Sequence, residues 1–207
     1  LCGNIPPMGI LKKFFCSLFL ISSIEARPIS YSGGSTLMSI SDNLKDSTYY
    51  HYSPTYKYSI GVEQVKDKFF DKKFTYLRLT YLLNRKNTKN SQRNLYFQSA
   101  LSTDNLNDNF YGMHGDWETR RLFSGFGYKK VINNFRDFAE QYFQLGIAPY
   151  QGNYGDFHTW ILMKTRKNSL VGDWKTYPVL KFFKGDFLFE IGYDSDVDWD
   201  VHLMYRF

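Results

Sequence analysis

The sequence predicts an all-β chain that folds as an antiparallel, up-and-down transmembrane β-barrel. Aromatic residues make up 19% of the 207 residues, which argues against disorder because disordered segments contain few of them. Segments of about ten residues alternate between apolar and polar side chains, as in the strands of membrane barrels. After residue 27 no apolar run approaches the roughly 20 residues that a membrane-spanning helix needs.

Residues 1–26 are expected to be an export signal. Two lysines precede an apolar stretch at residues 14–24, and Ala26 supplies a small residue for cleavage. This order of parts is typical of a secretory signal peptide, and the apolar stretch is too short for a spanning helix. We therefore expect one barrel domain over residues 27–207.

Turn residues divide the expected barrel into about ten strands. Pro54 interrupts one alternating segment, and we interpret it as a bulge, because a split there would give an odd number of strands. An eight-stranded barrel with an N-terminal hairpin outside it is the alternative. With ten strands, residues 102–116 form an unusually long connection on the side of the chain termini. The expected strands cover residues 34–41, 46–66, 73–83, 93–103, 117–130, 137–150, 156–166, 174–183, 187–194 and 198–207.

The end of the chain has the clearest alternation, with one face apolar or aromatic and the other polar apart from Met204. The apolar face consists of Trp199, Val201, Leu203, Tyr205 and Phe207. This segment resembles the C-terminal strand of Gram-negative outer-membrane β-barrels, which ends in an aromatic residue and is read by the barrel-assembly machinery. The resemblance implies export to the outer membrane of a Gram-negative bacterium, contact with outer-membrane lipids and recognition by that machinery.

Alternation alone leaves open which face points outward, since a soluble β-sandwich or lipocalin-like barrel buries its apolar face. Two features favour lipid contact. Aromatic residues concentrate near strand ends, and the polar face combines glycine with charges of both signs, which suits a narrow lumen. We therefore expect an inward-pointing charge network made of Lys57, Glu63, Arg78, Arg121, Lys129, Glu140, Lys164, Arg166, Glu190, Asp200 and Arg206.

The expected network leads to two functional hypotheses. The interior of a barrel of eight to ten strands is only just wide enough for side chains, so opposite charges should pair there. We expect a structural or binding barrel with a charge-paired, mostly filled lumen.

The alternative is a narrow passive diffusion channel with slight anion preference, because bases outnumber acids in this set. The scattered charges argue against nucleic-acid binding, and the sequence leaves the solute and the oligomeric state open.

A metal-binding barrel is a further hypothesis, since imidazole and thioether together can bind copper. The pairs with this chemistry are His202 with Met204 and Met113 with His114. Such residues more often pack in the barrel, and their spacing fits no zinc pattern, so we assign no metal and no cofactor. The stretches at 27–34 and 51–61 resemble small outer-membrane barrels sometimes recorded beside metal-resistance genes, which implies a metal-stress association without any ligand residue.

A lipid-modifying barrel enzyme is the last hypothesis. It requires a serine or aspartate close to a histidine near the barrel rim, and His158 with Asp194 or Ser195 could provide this. No G-x-S-x-G turn is present. We therefore expect no catalytic residues.

Overall fold

In the computed structural model, which describes residues 28–152 and 156–207, antiparallel hairpins follow one another and close into a single barrel. Each strand pairs with its neighbours in sequence, and the first pairs with the last. The expected signal peptide lies outside the described residues. The strands are β1 (Gly34–Ser41), β2 (Lys45–Thr55), β3 (Tyr58–Asp67), β4 (Lys72–Asn87), β5 (Ser91–Ser102), β6 (Asn109–Thr119), β7 (Leu122–Ile132), β8 (Phe138–Ile147), β9 (His158–Asn168), β10 (Lys175–Lys184), β11 (Phe187–Asp194) and β12 (Asp198–Arg206).

The barrel has twelve strands, so the expected counts of ten and eight were wrong. Pro54 lies where the pairing of β2 with β3 shifts register, as expected for a residue without an N–H to donate. The chain then reverses at Tyr56 and Lys57, which splits the segment 46–66 into two strands. The second extra strand is β6, which absorbs most of the expected long connection and leaves residues 103–108 as a short turn.

The even count is retained, and both ends of the described chain lie at one end of the barrel. We call this end the terminal mouth, marked by Gly34 and Arg206, and the opposite end the distal mouth, marked by Ser41 and Asp198. No helix that could cross a membrane occurs within residues 28–152 and 156–207.

The alternating pattern sorts the side chains into an enclosed face and an outer face. On β4, Leu77 is 55% exposed, whereas its neighbour Tyr76 is 4% exposed. The last strand follows the same rule, since Tyr205 is exposed and Met204 is buried. On β10, where Val179 and Leu180 are both apolar, Leu180 is exposed and Val179 is buried. Apolar side chains therefore cover the outside of the barrel.

Aromatic rings on the outer face contact one another near both ends of the barrel. At the terminal mouth, the Tyr205 and Phe207 ring centroids are 5.8 Å apart, and Tyr50 is 6.4 Å from Phe207. At the distal mouth, the centroids of Tyr193 and Trp199 are 4.9 Å apart. Two such bands match the aromatic girdles expected at membrane interfaces.

Apolar side chains also fill part of the interior near the distal mouth. A cluster on β4 to β8 consists of Phe74, Tyr76, Ala100, Phe110, Val131 and Phe138. Phe70, from the turn between β3 and β4, packs on this cluster and stacks on Phe135 with 5.5 Å between centroids. Because Phe135 lies in the turn between β7 and β8, the two turns meet across the intervening strands and cover one side of this mouth.

The segment before β1 lies inside the terminal mouth. Ile29 is 2% exposed and packs with Leu82 and Tyr96 on the inner wall. The Ser30 amide donates a hydrogen bond to the Ser53 hydroxyl at 3.0 Å. The chain start therefore narrows this mouth on the side of β4 and β5.

Gly61 occupies a close approach between β2 and β3. A Cβ atom at this position would overlap the Tyr50 carbonyl oxygen and crowd the main chain of His51. We expect Gly61→Ala to lower the free energy of unfolding by about 1–3 kcal/mol, the usual cost of overpacking. The midpoint of urea unfolding in lipid vesicles measures this loss.

The matched control for this substitution is Gly125→Ala. Its Cβ would meet the flexible Gln144 side chain at 3.1 Å, which can move aside. We expect a change within about 1 kcal/mol, because alanine also restricts the unfolded chain. Equal losses in the two variants would contradict the close approach at Gly61.

Candidate functional site: the charged lumen

A cavity of about 330 Å³ occupies the barrel interior. Strands on every side of the barrel contribute to its wall, and charged side chains dominate the polar part. The basic residues of the wall are Lys45, Arg78, Lys129, Lys164, Arg166, Lys167 and Lys181, and the acidic residues are Asp42, Glu63, Asp116, Glu140, Glu190 and Asp200. The wall thus carries seven bases and six acids, which is close to neutral.

One ion pair spans the lumen from wall to wall. The Lys45 ammonium lies 2.7 Å from a Glu140 carboxylate oxygen, and Lys129 lies 2.9 Å from the same oxygen. Lys45 belongs to β2 and Glu140 to β8, which stand opposite each other in the ring of twelve strands. Two lysines therefore share one carboxylate across the width of the barrel.

Arg78 on β4 makes several contacts with its neighbours. Its guanidinium lies 2.8 Å from the Glu63 carboxylate and donates a second hydrogen bond to the Gln98 side-chain oxygen. The Tyr49 ring lies under it, 4.4 Å from the guanidinium carbon, and Ser47 donates a hydrogen bond to Glu63 at 2.7 Å. The arginine thus has a carboxylate, an amide and an aromatic face as partners.

Asp200 on β12 is contacted by side chains from β9 and β10. The Lys164 ammonium is 2.6 Å away, and the Tyr177 hydroxyl donates a hydrogen bond to the same oxygen. On the distal side, Arg166 lies 2.7 Å from Asp42, which belongs to the turn between β1 and β2. That contact holds the turn against the inner wall.

Glu190 on β11 completes the pairing. The Lys181 ammonium lies 3.3 Å from it, and His202 Nδ1 lies 3.7 Å from its other oxygen. Lys181 was missed from the sequence because the segment 174–183 has apolar residues at both odd and even positions, so alternation does not decide which set faces outward. Once Leu180 points outward, Lys181 has to point inward.

The structure places most of the expected network on the enclosed face of the strands. These residues are Glu63, Arg78, Lys129, Glu140, Lys164, Arg166, Glu190, Asp200 and Arg206. Arg206 lies at the terminal mouth near Asp186, outside the cavity wall. Lys57 and Arg121 were expected within the strands 46–66 and 117–130. The chain reverses at both residues, so their side chains are exposed in turns. Lys45 was missed because it was assigned to a turn.

The two His/Met pairs considered for copper are not arranged as metal sites. Met113 is on the outer face, whereas its neighbour His114 points inward and stacks on Tyr96 with 4.9 Å between centroids. His202 and Met204 share the inner face, but Met204 is buried in an apolar cluster and His202 lies beside Glu190. Within the described residues, no group of three or more His, Cys, Asp or Glu side chains could hold a metal ion.

The residues considered for a lipid-modifying enzyme do not come together. His158 begins β9 at the terminal mouth, whereas Asp194 and Ser195 lie at the distal mouth, where β11 ends. Antiparallel strands place these positions at opposite ends of the barrel. The hypothesis based on these three residues was therefore wrong.

The ion pair across the lumen should stabilise the barrel. Side chains of Lys45 and Glu140 are 18% and 23% exposed, so the loss should be smaller than for a fully buried pair. We expect Glu140→Gln to lower the free energy of unfolding by about 2 kcal/mol, because two inward ammonium groups lose their carboxylate. The urea midpoint of the folded protein in vesicles reports the change.

Asp196→Asn is the control for this prediction. It removes the partner of Lys175 in a pair at the distal surface, where the Asp196 side chain is 57% exposed. Exposed pairs contribute less than about 1 kcal/mol, so the midpoint should hardly move. A larger loss of unfolding free energy for Asp196→Asn than for Glu140→Gln would contradict the stabilising role of the cross-lumen pair.

Comparison with known proteins reveals a similarity of fold. A solved structure described as KdgM porin in complex with disordered oligogalacturonate is 13% identical, with a TM-score of 0.52, and covers 84% of this chain and 99% of its own. A second KdgM porin structure is 12% identical, with a TM-score of 0.50 and the same coverage. No protein-family model and no curated protein matches the chain. The described barrel is porin-like in fold.

Proposed function

We propose that the chain is a small outer-membrane β-barrel that acts as a narrow passive diffusion channel for small polar solutes. The observation that carries the proposal is a cavity of about 330 Å³, lined by charged and apolar side chains and enclosed by a barrel whose outer surface is apolar. This favours the channel over the structural barrel with a filled lumen.

The outer surface supports a membrane location. Lipid cannot hydrogen-bond to the backbone, so a spanning sheet has to close on itself, and this sheet does. Its outer face presents leucine, isoleucine and valine between two aromatic bands. In a Gram-negative outer membrane the terminal mouth would face the periplasm. The exposed residues of the last strand would be available to the assembly machinery during insertion.

The lumen supports passage of solute. Its ion-paired side chains keep some exposure, for example 18% for Lys164, so the charges border open space instead of a dry core. The fold is similar to that of solved porins, which adds weight to a channel. The cross-lumen pair of Lys45 and Glu140 makes the channel narrow.

Planar-bilayer recording of the refolded chain tests the proposal. We expect discrete unit currents that scale with KCl concentration. The Lys45→Ala/Glu140→Ala double variant should raise the unit conductance by roughly twofold, because these two side chains meet across the width of the lumen and occupy part of its cross-section. Asp196→Asn, outside the lumen, should conduct like the unmodified chain. If folded, heat-modifiable protein carries no unit current, the channel is excluded and the filled structural barrel is supported.

The membrane location has its own test. Leu79 lies at the middle of β4 on the outer face. We expect Leu79→Arg to destabilise the barrel in vesicles by about 2–4 kcal/mol, the cost of a basic residue at the bilayer midplane. Leu106→Arg, in the exposed turn between β5 and β6, is the matched control and should change stability little. Equal tolerance of both substitutions would contradict lipid contact at Leu79.

A further inference from the structure

We infer that the lumen selects small uncharged polyols, the size of a single sugar, over acidic or basic solutes of equal size. This inference rests on the proposed channel function and names its solute class. It follows from the pairing of charges on the cavity wall and from the hydrogen-bonding groups between them.

The basic side chains of the wall already have acidic partners. Six of the seven lie within 3.3 Å of a carboxylate oxygen of the same wall: Lys45, Arg78, Lys129, Lys164, Arg166 and Lys181. An acidic solute gains affinity when a cation replaces part of its hydration shell. Here it would have to displace a carboxylate that is fixed to a strand.

The same argument applies to basic solutes. Glu63, Glu140, Glu190 and Asp200 each have at least one cationic partner. With seven bases and six acids, the wall produces no strong field of either sign, and such a field is what concentrates ions in a cleft. A charged solute therefore loses water on entering the narrow lumen, and most of the counter-charges that could replace that water are already paired.

An uncharged polyol can use the neutral polar side chains of the same wall. Gln144 offers an amide group and Tyr142 a hydroxyl, and Gln98 keeps its amide N–H groups while its oxygen accepts a hydrogen bond from Arg78. These groups donate and accept hydrogen bonds, as sugar hydroxyls do. The cavity volume of about 330 Å³ is at the lower end of the range for small-molecule sites, which suits one small solute at a time.

The proposed solute selectivity differs from what one of the porins of similar fold was solved with. That porin was solved with oligogalacturonate, a chain of sugars that each carry a carboxylate. The compensated lumen described above is not suited to such a polyanion. The slight anion preference expected from the sequence is replaced because the wall gains the acids Asp42 and Asp116. The number of bases is unchanged, since Lys57, Arg121 and Arg206 lie outside the wall and Lys45, Lys167 and Lys181 belong to it.

Three probes of matched size test the inference on the full chain in liposomes: glucose, galacturonate and glucosamine. We expect glucose to enter at least about threefold faster than either charged sugar in swelling assays. In a KCl gradient across a planar bilayer, the permeabilities of K⁺ and Cl⁻ should agree within about twofold, as expected for a wall without a strong field.

Glu140→Gln provides the matched change of charge, because it leaves Lys45 and Lys129 without their shared carboxylate. The reversal potential should then shift towards anions and galacturonate entry should rise, whereas Asp196→Asn should leave both unchanged. Currents with several-fold anion or cation preference in the unmodified chain, or galacturonate entry faster than glucose, would overturn the solute class and leave the channel intact. Absence of any current from folded protein would overturn the channel and the inference together. If the Glu140 variant does not fold, the measurements on the unmodified chain decide.

Discussion

The pairing of the first strand with the last is the constraint on which the rest of the structure depends. The Ser35 amide donates to the Phe207 carbonyl at 2.7 Å, and the Phe207 amide donates back to Ser35 at 3.0 Å. This contact leaves the sheet without a free edge, so all strands have neighbours on both sides. Once the sheet is closed, the two faces of each strand become an outside and an enclosed inside. The period of two in the sequence then decides which side chains meet lipid and which meet one another.

Closure also explains why the charges pair as they do. Side chains on opposite walls of a small barrel come within contact distance, as Lys45 and Glu140 show. Enclosed charges are costly without partners, and partners from several strands are within reach. The contacts between opposite walls that narrow the lumen therefore also neutralise its charges. In the proposed channel, size restriction and weak charge selection would come from this one set of contacts.

Much of this arrangement can be read from local sequence, because alternation is a local property. The outer positions of β4 and β12 and the inward direction of Glu63 and Arg78 follow from it. The number of strands does not, because Pro54 is compatible with both a bulge and a nearby turn, and here both occur. Local sequence also does not predict which charged side chains pair with each other. Lys45 and Glu140 are 95 residues apart and meet only because six strand-to-strand steps carry the chain half-way around the ring.

The segment before β1 and the aromatic stack at the other end narrow the two mouths of the barrel. Ile29 occupies the wall near Leu82 and Tyr96 at the terminal mouth, and the stack of Phe70 on Phe135 covers the β4-to-β7 side of the distal mouth. Both obstructions stand on the same half of the cylinder. In the proposed channel, a solute would therefore pass off the central axis, along the opposite half, beside Lys164, Lys181 and Glu190.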